Sequence, residues 1–280
     1  ANANTPSVIT ALAAIAGGAT VSGTFTGYTS GANAAGTVVF TSTTAATNVV
    51  NLGVAGTAGG TATVTAGVAA VTAVNGVING AVTVTDVNAA SATAAGVITT
   101  ASLNDYGNST INSGALATVN LSGTAGTLGI TTGALTTAAV STLGLNLNGL
   151  SFVNAATNNA ITVDADITTL NIGSSTAAST VANITATGAT TVNVTGDALL
   201  TLTNNTFAAA TAVNVTNTAG AVFGTTAMNV GATFTGGAGA DSASFGLSTT
   251  TNTLGAGNDT ATLTGATLGT GGTLVGGSNT

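Results

Sequence analysis

Short apolar-polar alternations recur along the chain. Thr118 to Ser122 reads TVNLS, Thr169 to Gly173 reads TLNIG, Thr191 to Thr195 reads TVNVT, and Ala212 to Thr216 reads AVNVT. Leu145-Asn146-Leu147 is a fifth copy. A period of two is the mark of a strand with one buried face. It predicts that Val119, Leu121, Leu170, Ile172, Val192, Val194, Val213 and Val215 point inward. Asn120, Asn146, Asn171, Asn193 and Asn214 then point the other way. Ala81 to Val87, Val97 to Leu103, Ile161 to Ile167 and Leu199 to Thr203 read as further strands of the same kind.

The five asparagines follow one another at 26, 25, 22 and 21 residues. Self-similarity at such a period is the sequence mark of a repeat architecture. Gly, Thr, Asn and Val interrupt every candidate helical run, so a helical solenoid is excluded. What remains is an all-β chain: a parallel, right-handed β-solenoid whose coils stack strand on strand. Equivalent asparagines then lie ~4.8 Å apart and form an amide ladder. The whole chain would make on the order of 12 coils. Three segments are expected: an irregular β-rich stretch over 1–77, the solenoid over 78–230, and a β-roll over 231–280.

Composition narrows the chemistry. The chain has no Lys, Arg, His, Cys or Trp, and its net charge of -7 comes from seven aspartates. Without basic residues it cannot neutralise phosphates, which excludes nucleic acid and polybasic attachment to anionic lipid. The absence of Cys and His excludes ordinary zinc sites and disulfides. The most apolar run, Val8 to Val21, is too short to span a bilayer, so no membrane insertion is expected. It reads as a short buried helix or strand.

Gly236 to Ser244 (GGAGADSAS) fits the nonapeptide G-G-x-G-x-D-x-U-x, with U apolar. Leu254 to Thr262 (LGAGNDTAT) fits it again, with Leu254 in place of the first glycine. Asp241 and Asp259 are 18 residues apart, one full coil of such units, so Asp259 should lie over Asp241. Two carboxylates ~5 Å apart repel by roughly 3 kcal/mol at an effective dielectric of 20, and a divalent cation between them reverses the sign. Carboxylates joined by the carbonyls of Gly237, Gly239, Gly255 and Gly257 make an oxygen-only environment suited to Ca2+. Glycines with positive φ would aim those carbonyls inward. Asp164 and Asp166 form a DxD on one face of a predicted strand, a second candidate cation site. Asp197, at a coil corner, is a calcium ligand or a turn cap, and Asp86 and Asp105 are 19 apart, on neighbouring coils.

These nonapeptides resemble the RTX repeats of proteins exported by type I secretion. Ile78 to Thr100, Leu116 to Ile130, Leu145 to Leu150 and Thr191 to Leu202 extend the resemblance to self-assembling RTX surface-layer proteins of the Caulobacter type. The resemblance implies a calcium-dependent two-dimensional lattice of identical copies on the outer surface of a Gram-negative cell. It also implies attachment to lipopolysaccharide through a separate N-terminal domain, which is not recognisable in these residues. The missing basic residues and the incomplete repeat at Gly276-Gly277 depart from the family pattern.

Other features have plainer readings. A carboxylate pair in a glycan-processing cleft would need Arg, His, Lys, Glu or Trp to orient a sugar, so no enzyme is expected. Asn108, Asn120, Asn183, Asn193, Asn204 and Asn214 begin N-x-S/T, but outward strand positions of this composition produce that pattern unaided. Tyr28 and Tyr106 are candidate lattice contacts. The leading functional expectation is a structural coat protein. A β-solenoid adhesin or autotransporter passenger that binds surfaces or glycans is the alternative. Ice binding ranks below both, because the outward positions mix Thr, Asn, Ser and Gly instead of forming strict T-x-T rows.

Overall fold

A computed structural model describes residues 80–278 apart from 135–139, 153–159 and 266, together with the backbone of four strands between 28 and 72. The apolar run Val8 to Val21 lies outside the described residues. The described residues form a parallel β-solenoid. Its strands alternate between two sheets, one of twelve strands and one of ten. All pairings are parallel except that of Tyr28–Ala32 with Val38–Ser42. The first-sheet strands Val38–Ser42, Ala62–Ala66 and Val82–Asp86 pair in succession, so the sheet continues across residue 77. Some coils carry long excursions, such as 87–99 between Val82–Asp86 and Thr100–Tyr106.

The ten-stranded sheet carries the alternation read from the sequence. Thr118–Ala125, Thr142–Phe152, Thr169–Ser174, Thr191–Gly196 and Ala212–Val215 pair in sequence. All eight predicted inward residues are buried, from Val119 and Leu121 through Val213 and Val215. They meet Ile111, Leu128, Ile161, Val181, Ile184, Leu200 and Leu202 from the twelve-stranded sheet. Full burial of one such side chain is worth about 1.5–3 kcal/mol, so a thin core of aliphatics suffices when every coil repeats it. Toward the C-terminus the core becomes aromatic. Phe234 stands edge-on between Phe223 and Phe245, with ring centroids 5.8 Å apart in both pairs.

The expected amide ladder forms in two pieces. Asn146 Nδ2 donates to Asn120 Oδ1 at 2.9 Å, and Asn120 Nδ2 to Ser102 Oγ at 3.0 Å. Asn193 donates to Asn171 at 2.8 Å, and Asn214 to Asn193 at 2.9 Å. Between the two pieces the ladder breaks. Asn146 pairs with Gly173, and Asn171 with Gly144. The coil between those strands repeats at 27 residues, as in the bond from Thr168 to Ser141. The asparagine spacing there is 25, so the amides miss each other by two positions.

Candidate functional site

The glycine-aspartate segment forms the C-terminal coils. Ser242–Phe245 lies against Thr260–Leu263 in the register Ser242 to Thr260, so the 18-residue coil is real and Asp259 lies over Asp241. Gly255 and Gly257 have positive φ, 91° and 127°. Gly237 and Gly239 do not, and they are needed for close approach instead. A Cβ at Gly239 would meet the Gly220 nitrogen at 2.1 Å.

The carboxylates face amides. Asp241 Oδ1 accepts from Ala221 N–H at 2.8 Å, and its Oδ2 from Gly237 N–H at 3.0 Å. Asp259 Oδ1 accepts from the Asp241 N–H at 2.9 Å. The Gly237 carbonyl accepts from Ala256 N–H at 2.7 Å. Asp241 is 1% exposed. Burial pushes its pKa up, the N–H groups of Ala221 and Gly237 oppose that, and the charge of Asp259 adds to the rise.

The donor set is oxygen only, as a hard cation requires, but both Asp241 oxygens are turned toward N–H dipoles that would repel one. Each Asp241 oxygen accepts one N–H and keeps a further lone pair, so the residues could still offer oxygen ligands to a hard cation. Among the described residues, no three acidic side chains form a metal-holding cluster.

The same use of carboxylates recurs along the solenoid. Asp86 is 2% exposed and accepts from the N–H groups of Asn88, Val97 and Ile98 and from Ser113 Oγ, at 2.7 to 2.9 Å. Asp105 lies in the other sheet, so the two are not stacked as neighbours. Its Oδ1 takes the Thr124 N–H and hydroxyl, both at 2.9 Å, and the amide bond is the main reason its pKa is lowered. Asp197 takes Thr176 N–H at 3.1 Å and so caps a turn at the predicted corner.

Asp164 and Asp166 follow the strand Ala160–Val163 and do not lie in it, because the strand ends before the DxD. Asp164 accepts from its neighbour, the Asp166 N–H, an Asx turn that competes with strand pairing. The two carboxylates converge on Thr132, whose N–H goes to Asp164 and whose hydroxyl goes to Asp166. Thus all seven aspartates accept hydrogen bonds, six of them from backbone N–H groups.

Sequence reasoning missed the neutral residues that do the same work. Asn217 is fully buried, donates to the Ala198 carbonyl and accepts from Ala219 N–H. Asn252, also fully buried, accepts from Phe234 N–H one coil away. Nothing but their place beside a strand or turn distinguishes them from the outward asparagines. Tyr106 is not a surface contact: it is 1% exposed, burial raises its pKa, and its hydroxyl has no partner among the described residues.

No protein-family model matches the chain, and no curated protein matches its sequence.

Proposed function

We propose that this chain is a structural protein of an extracellular surface coat, assembling with copies of itself into a two-dimensional lattice. The carrying observation is the outer face of the ten-stranded sheet. Coil after coil it presents uncharged donors and acceptors at one spacing, including Thr169, Thr191, Asn171, Asn193 and Asn214. A surface that repeats itself along its length is complementary to another copy in the same repeat. No lysine or arginine interrupts it, and six of the seven aspartates already accept from backbone N–H groups. The RTX-like nonapeptides add support from sequence, and they carry the expectation of calcium. The amide-capped carboxylates give the stack a way to hold without the ion.

Electron microscopy of the purified chain, with calcium and with chelator, tests the reading. A planar lattice is expected. Dispersed rods under both conditions would overturn it and favour a monomeric adhesin.

A further inference from the structure

From Val82–Asp86 onward the strands of each sheet run parallel, so every passage from the twelve-stranded to the ten-stranded sheet lies along one edge of the solenoid. Among the described residues six large apolar side chains are exposed, and four of them lie on this edge. Val87 directly follows the strand Val82–Asp86 and is 62% exposed. Val230 and Leu247 sit at the passages after Ala221–Phe223 and Ser242–Phe245, and Leu263 ends Thr260–Leu263. The same edge contains a cavity of about 220 Å³ at the passage after Leu200–Thr206. Its lining includes the buried residues Asn205, Phe207, Ala210 and Met228, and no charged group. Val87 stands at the foot of the excursion 87–99, and Asp86 fixes both feet. Its carboxylate accepts from the Asn88 N–H on one side and from the Val97 and Ile98 N–H groups on the other. A side chain on a fixed backbone loses less entropy on docking than one on a free loop.

We infer that this edge binds a second copy of the chain, with Val87 of one copy seated in the Phe207–Met228 cavity of the other. The inference rests on the coat reading for the identity of the partner. Every charge on the chain is negative, so two copies attract only through uncharged surface. Both sides of the contact meet that condition: Asp86, beside Val87, is 2% exposed, and the cavity holds no carboxylate. At roughly 30 Å³ per water the cavity has room for about seven waters, ample for an isopropyl group. The ten-stranded face supplies one set of contacts, and a two-dimensional lattice needs a second direction. The carboxylates set the orientation. Val82–Asp86 and Leu200–Thr206 are five strand steps apart, about 24 Å. A two-fold arrangement would make both contacts at once, but Asp164 and Asp166, midway along this edge, would then face their own copies. Copies running the same way, offset by five coils, avoid this. Each gives Val87 to one neighbour and its cavity to another, an open contact that propagates. The same offset sets the exposed Ala117 against Val230.

The chain has no cysteine, so introduced cysteines report contacts without background. Val87→Cys mixed with Thr226→Cys, on the exposed cavity rim, should form a disulfide-linked dimer with oxidised glutathione. Val87→Cys mixed with Leu199→Cys, on the opposite edge, should not. Filling the cavity with Ala227→Leu in the Thr226→Cys partner should slow cross-linking about tenfold or more, the value of one buried valine side chain. Circular dichroism establishes that this variant is folded; if it is not, the two cysteine pairs decide alone. Equal cross-linking of the two pairs, none in either, or a rate that folded Ala227→Leu leaves unchanged overturns the inference. A lattice seen by electron microscopy without the Val87–Thr226 cross-link overturns this contact and leaves the coat reading standing. The cross-link without a lattice does the reverse.

Discussion

Between Thr118 and Val215 neighbouring coils are joined outside by asparagine amides and inside by aliphatic side chains, on strands of up to eleven residues. From Thr233 onward the ten-stranded sheet keeps only three residues per strand, and coils shorten to as few as 18 residues. Short strands offer few ladder hydrogen bonds, and their ends leave N–H groups unsatisfied. There Asp241 and Asp259 take over those amides, and three phenylalanines replace the small aliphatics. The comparison shows one stacking geometry in which side-chain-to-backbone bonds run throughout and the asparagine ladder is added only where strands are long.

Substitutions can separate the two modes. Phe234→Ala should have the largest effect, a loss of about 3–5 kcal/mol measured by urea unfolding, because it leaves a cavity between two rings. Asp241→Leu should cost about 2–4 kcal/mol, since two buried amides lose their acceptor. A cost near zero would mean that those N–H groups find other partners. Asn193→Ala removes a ladder rung bonded on both sides and should cost about 1–2 kcal/mol. If the rung costs more than the aspartate, the proposed division of labour is wrong. Chelator should change the melting temperature of the C-terminal coils least of all. A clear rise on adding calcium would show instead that Asp241 and Asp259 turn from amides to the ion.

Acidity distinguishes Asp241 by sign from Asp105, whose partner Thr124 belongs to the long-strand stretch. Asp241 has a raised folded-state pKa, so the folded chain binds its proton more tightly than the unfolded one. Its contribution therefore falls as pH rises from 3.8 through the folded value. Asp105 has a lowered pKa, so its contribution is present above 3.8 and is lost as pH falls through the folded value. Urea midpoints followed across this range should lose opposite slopes in Asp241→Asn and Asp105→Asn.

The strand alternation, the inward residues and the 18-residue register were legible because burial on one face leaves a period of two in any strand. The amide partners of the aspartates were not legible. A carboxylate beside glycines has the same sequence whether it meets a cation or an N–H group, and only the direction of the neighbouring amides distinguishes them. The ladder break at Gly173 was equally hidden, because counting from asparagine to asparagine assumes that each coil grows at the same corner. Asn205 gave no warning either: the run Leu200 to Thr206 departs from strict alternation, with Leu202 and Asn205 both inward.

The gap at Gly173 also bears on how two such molecules would meet. A second chain sliding along the threonine-asparagine face would find matching amides at every step except there, where glycine sits opposite Asn146. A uniform face would allow many equivalent offsets. A face with one missing tooth would allow a single best alignment, so under the proposed coat the interruption would act as an index mark for where along its length a neighbour comes to rest.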